Sequence, residues 1–103
     1  MSRKMFVTRT DRVVLDLIAD ACEGGSFCII SNRQLTEHLG LPYNRQASRH
    51  WARLEQMGLI EVIPRADEFS GYQPNKIVPL SGAADAKVGD VYEFEETEAE
   101  TSV

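Results

Sequence analysis

Arg45, Arg49 and Arg53 recur every four residues within RQASRHWARLEQMG, so on a helix their guanidinium groups line one face. Like charges at that spacing repel by roughly 0.2–0.5 kcal/mol per pair, so local helix stability does not explain the row, whereas an anionic partner would. A solvated basic face that binds nothing is the other reading of such a run. The chain offers little competing chemistry. It has no nucleophile elbow, phosphate loop or H-E-x-x-H stretch, and its carboxylates show no paired spacing, which argues against an enzyme. Cys22, Cys28, His38 and His50 are the one set of metal-ligating types, but C-x5-C-x9-H-x11-H matches no compact structural zinc pattern. No metal and no cofactor is expected, and both cysteines are expected as free thiols.

The same stretch carries a second stripe, Ala47, Trp51, Leu54 and Met57, whose spacing demands burial. Trp51 is therefore read as core packing and His50 as a rim residue. Upstream, Ser31-Asn32-Arg33-Gln34 is a capping box: the serine hydroxyl accepts from the third helical amide, and the glutamine reaches back to the cap amide. A short helix, 32–39, follows, with Gly40 as its terminator. Pro42 prevents continuation, and Asn44 is a suitable N-cap for the basic helix. Two helices joined by a tight turn make a helix-turn-helix.

A first helix, capped by Thr8 or Thr10 with Asp11 in its first turn, is expected to run to about Glu23 and to bury Val14, Leu17, Ile18 and Ala21, with Val13 beside them. Gly24-Gly25 stops it, and Phe27 to Ile30 reads as a small strand. After Gly58 the periodicity changes. Residues 59–64 and 75–80 read as strands of a hairpin joined by a polar loop that contains Arg65, Asp67, Glu68 and Tyr72.

At 103 residues the chain fits one domain. Its net charge of −5 is unevenly spread: residues 1–80 carry ten Lys or Arg against nine Asp or Glu, and residues 81–103 carry Lys87 against seven acids. Ser81-Gly82-Ala83-Ala84 has linker composition, so 81–103 is expected as a largely flexible acidic tail in which Val88 to Glu95 can form one short strand. Such a tail either solubilises the domain or competes with an anionic ligand for the basic helix. Residues 1–7 read as a basic arm, to which Arg9 and Arg12 add charge. No stretch has signal-peptide or membrane-spanning character, so the expected setting is cytoplasmic with no membrane partner.

The order helix, strand, helix, turn, helix, hairpin over residues 8–80 resembles the winged helix-turn-helix superfamily, as does the text SNRQLTEHLGLPYNRQASRHWARLEQMGLI. The resemblance implies an α+β fold of three helices with a small antiparallel sheet, whose hairpin is the wing. It also implies double-stranded DNA as partner, in a transcription regulator or replication accessory. Matching positions are Tyr43, Asn44, Arg45, Gln46, Ser48, Arg49 and Arg53 on the helix side, and Arg65, Tyr72 and Lys76 on the wing. Arg45 and Arg49 would read guanine edges, Arg53 would meet phosphate, and Arg33 and Gln34 would hold a phosphate at the start of the preceding helix. One short helix gives little affinity alone, so a homodimer is expected. The alternative is a protein-interaction module, since Asp67 and Glu68 suit a basic protein partner better than a phosphate backbone.

Overall fold

The computed structural model describes residues 2–63 and 75–95. The predicted loop with Arg65, Asp67, Glu68 and Tyr72, and the last eight residues of the expected tail, lie outside them. The described elements are β1 (Ser2–Phe6), α1 (Arg9–Cys22), β2 (Cys28–Ile30), α2 (Asn32–Leu39), a 3-10 turn (Asn44–Gln46), α3 (Ala47–Gln56), β3 (Ile60–Ile63), β4 (Asn75–Pro79) and β5 (Val91–Glu95). Three helices and two small antiparallel sheets make a mixed α+β arrangement, and no described helix is long and apolar enough to cross a membrane.

Capping chemistry fixes the helix starts. The Thr8 hydroxyl accepts from the Asp11 amide at 3.1 Å while the Asp11 carboxylate accepts from the Thr8 amide at 2.9 Å. Ser31 and Gln34 make the same reciprocal pair at 3.0 and 2.7 Å. Each box satisfies two amides that have no partner inside the helix. Gly58, at φ 73°, turns the chain from α3 into β3, a conformation that costs an L side chain roughly 1 kcal/mol or more.

The three-stranded sheet runs β2-β4-β3, with Cys28 and Val62 both opposite Ile77 and with Ile29 and Ile63 both opposite Lys76. Strand alternation therefore buries Cys28, Ile30, Ile60 and Ile77 against the helices. The buried stripe of α1 is Asp11, Val14, Leu15 and Ile18, whereas Val13 and Ala21 are exposed and Leu17 is half-buried. The helix is thus turned from the expected face toward Leu15, because the stripe begins at Asp11, whose burial is made tolerable by a basic partner described below.

The two ends of the described chain depart most from expectation, although the short strand expected within 88–95 is present as β5. Residues 2–6 are a strand, and β1 pairs antiparallel with β5 in the register Ser2↔Glu95 to Phe6↔Val91. Val7 continues the junction, donating to the Asp90 carbonyl at 2.9 Å and accepting from the Gly89 amide at 2.8 Å. The expected linker is packed: Ala83 and Ala86 are buried, and a Cβ on Gly82 would stand 3.4 Å from the Leu59 side chain. Its small residues answer to close packing, not to flexibility. Arg12, expected to add charge to the basic arm, donates from Nη1 to the Ala83 and Ala86 carbonyls at 3.3 and 2.6 Å. A chain ending at Leu80 should consequently lose on the order of 3–5 kcal/mol through lost burial and through Arg12 donors and Val7 backbone groups left without their partners. Urea denaturation of full-length and shortened chains, compared at equal protein concentration, checks this.

Candidate nucleic-acid interface

Two polar contacts set how α3 sits. On its buried side Ala47, Trp51 and Leu54 enter the core, as the apolar spacing requires. The Trp51 indole donates to Asn32 Oδ1 at 2.9 Å, and the Asn75 amide donates to the same oxygen at 2.9 Å. One acceptor thus ties α3 to the first residue of α2 and to β4. His50, which precedes Trp51 on α3, is half-buried.

The second contact is made by Arg53. Its Nη2 lies 2.8 Å from Asp11 Oδ2 and its Nε 3.2 Å from Oδ1, a two-point grip on a carboxylate that is 1% exposed. The same Nη2 donates to the Phe6 carbonyl at 2.8 Å. Burial alone would raise the Asp11 pKa, but hydrogen bonds from Arg53 and Thr8, together with the guanidinium charge, hold it below the ordinary 3.8. Arg53 was expected beside phosphate. In the structure its guanidinium joins α3 to α1 and to the end of β1.

The other two arginines of the row differ. Arg45 and Arg49 are exposed, and no carboxylate pairs with either among the described residues. Arg45 lies with its guanidinium carbon 5.3 Å from the centroid of the Tyr43 ring, itself 59% exposed. At such a site the contact is worth about 0.5–1 kcal/mol and narrows the positions the side chain samples. Gln46 accepts from the Tyr43 amide at 3.2 Å through Oε1, which leaves its amide nitrogen as a donor. Tyr43, Arg45, Gln46 and Arg49 border a shallow concavity of about 520 Å³. Ser48 is exposed on the same helix. Glu55, the one acid of α3, accepts from the Val62 amide at 3.2 Å and so anchors β3.

The remaining candidates are dispersed. Asn44 opens the 3-10 turn and is not the cap immediately before α3; Gln46 holds that position without a side-chain cap bond, and the Asn44 side chain lies outside the described set. Regular helix is delayed to Ala47 because the backbone first closes a tight turn, with Gln46 donating to the Tyr43 carbonyl at 3.1 Å. Gln34 is engaged in its capping box, and Arg33 pairs with Glu37 at 3.0 Å, both exposed. Lys76 stands 4.4 Å from the centroid of the Phe27 ring on the outer face of the three-stranded sheet. Arg65 and Tyr72 fall outside the described residues. The structure therefore gathers Tyr43, Arg45, Gln46 and Arg49, and separates Arg53 from them chemically. Both cysteines are free thiols; burial and a hydrogen bond with Cys22 push Cys28 up to about 12, which leaves it a poor nucleophile.

No protein-family model matches the chain, and neither a curated protein nor a solved structure matches it.

The split within the arginine row has a measurable consequence. Arg53→Ala should cost about 2 kcal/mol of stability by leaving buried Asp11 without its cation, whereas Arg49→Ala should stay within about 0.5 kcal/mol of the parent. Because Asp11 titrates below its ordinary value, its contribution is complete above the unfolded-state pKa and disappears as pH falls through the folded one. The stability gap between the parent and Asp11→Asn should therefore narrow as pH is lowered from about 5 toward about 2. Chemical denaturation across that pH range reads both effects.

Proposed function

We propose that this chain is a winged helix-turn-helix protein that binds double-stranded DNA through α3 and the turn before it, as a transcription regulator or replication accessory. The observation that carries the reading is the difference in partnering along α2, the turn and α3: Arg33 and Arg53 each hold a carboxylate, while Arg45 and Arg49 hold none among the described residues. Two unneutralised guanidinium groups one helical turn apart are suited to an external anion with regularly spaced acceptors. The helix order and the β2-β4-β3 sheet behind α3 support the same reading, since such a domain needs both.

In this reading Arg45, steadied over Tyr43, and Arg49 approach the major groove, where a guanidinium can donate two bonds to guanine O6 and N7. Gln46 and Ser48 supply neutral donors beside them. Arg53 contributes by holding α3 in place. Lys76 stands toward a flanking phosphate, and Arg33 meets one only by giving up Glu37, so about two to four phosphates are neutralised.

A fluorescence titration against DNA selected from a random pool tests this. Log affinity should fall with log salt at a slope of about −2 to −4, and Arg45→Ala with Arg49→Ala should weaken specific binding by at least about tenfold while leaving the melting curve close to the parent's. Undetectable binding at low salt, or equal binding by the double variant, overturns the proposal.

A further inference from the structure

The ribbon of β1 and β5 has one face on the core and one covered by nothing among the described residues. Alternation sends Met5 and Tyr92, opposite one another in the register, inward onto the core. It sends Lys4, Phe6, Val91 and Glu93 outward, and all four are exposed. Phe6 and Val91 face each other across the ladder at 56% and 52% exposure, and Val88 just before β5 is 52% exposed. Lys4 stands opposite Glu93, yet no ion pair joins them. The outward face therefore carries an apolar pair next to a cation and an anion that hold no ion pair among the described residues.

We propose that this face is the docking surface for a second copy of the chain, related by a two-fold axis parallel to the strands. Rotation about that axis preserves height along the ribbon and exchanges the two strands, so β1 of one copy lies over β5 of the other. Phe6 then meets Val91 of the second copy, Lys4 meets Glu93 of the second copy, and each contact occurs twice. The self-complementarity follows from the register, which places an apolar residue opposite an apolar one and a cation opposite an anion. A two-fold across the strands would lay β1 on β1 with height reversed, setting lysine against lysine or lysine against phenylalanine and leaving Lys4 without Glu93. Net charge alone would keep two such chains apart; this face brings opposite charges together locally.

Strands of five residues are about 17 Å long, so the face buries well under the ~800 Å² per partner of a standard interface, and dissociation is expected on the order of 100 µM. The Phe6 carbonyl also receives Arg53, so the docking face is linked by one side chain to α3. Two copies joined here present two α3 helices in a fixed relation. The surface is separate from the Arg45 and Arg49 region, and its test involves no DNA, so it stands or falls apart from the DNA-binding proposal.

Sedimentation equilibrium of the full chain, from about 10 µM to 1 mM, provides the test around the expected dissociation constant. Lys4→Glu sets acid against acid and Glu93→Lys sets base against base at the position where residues 4 and 93 of the two copies meet, so each variant alone should self-associate at least about tenfold more weakly than the parent. Their equimolar mixture should recover a heterodimer at least as tight as the parental dimer, a result that altered ribbon stability cannot produce. Where either charge variant fails to fold, Phe6→Ser with Val91→Ser replaces it and should abolish association. A parent that stays monomeric to the top of the range, variants that associate like the parent, or a mixture that does not pair overturns the proposal.

Discussion

The Asp11–Arg53 pair is the constraint on which the placement of α3 depends. A carboxylate at 1% exposure cannot remain ionised in an apolar setting without compensation, and here the compensation is a two-point guanidinium contact plus a helix-capping amide. The directionality of those bonds matters as much as their strength. Packing of Trp51 and Leu54 alone would tolerate small rotations of α3, whereas a fork-shaped contact at one point and an indole bond at another tolerate few. Arg45 and Arg49 ride on a helix whose rotation is set by polar contacts, so their positions follow from groups far from them in sequence.

This explains which parts of the molecule were legible in the sequence. The start of α2 was, because a capping box is a local pattern whose atoms lie three residues apart; α1 was narrowed to Thr8 or Thr10, and the start of α3 was misplaced at Asn44, which opens a 3-10 turn. The buried stripe of α3, the small strand at Cys28–Ile30 and the pairing of β3 with β4 were legible for the same reason, since periodicity and turn residues report on neighbours. Arg53 was not separable from Arg45 and Arg49, because its partner lies 42 positions away and no local feature marks it. The face of α1 was misjudged in the same way: counting only apolar residues omits Asp11, which the stripe includes once its cation is known. Tyr43, Arg45, Gln46 and Arg49 fell together as expected, being almost contiguous in sequence.

Composition misled at the C-terminal side for a different physical reason. Small residues are ambiguous, since they occur where a chain must be free and where two segments must approach closely. Gly82, Ala83 and Ala86 belong to the second case, held by Leu59 and by the Arg12 donors. Charge counted by segment is ambiguous too. Glu93 stands on a strand opposite Lys4, so an acid assigned to a tail by sequence position belongs in space to the same ribbon as a base assigned to an arm.

The pairing of β1 with β5 also orders events during synthesis. β1 leaves the ribosome before every other described element, and β5 is made after all of them. The helices and the three-stranded sheet can assemble while Met5 and Val7 still lack their partners at Tyr92, Gly89 and Asp90, and closing so long a loop is among the slower steps available to the chain. Until it closes, β1 is an unpaired apolar and basic strand attached to a nearly finished domain. Slow translation of residues 80–95 would prolong that interval, during which the open strand is exposed to the quality-control machinery of the cell.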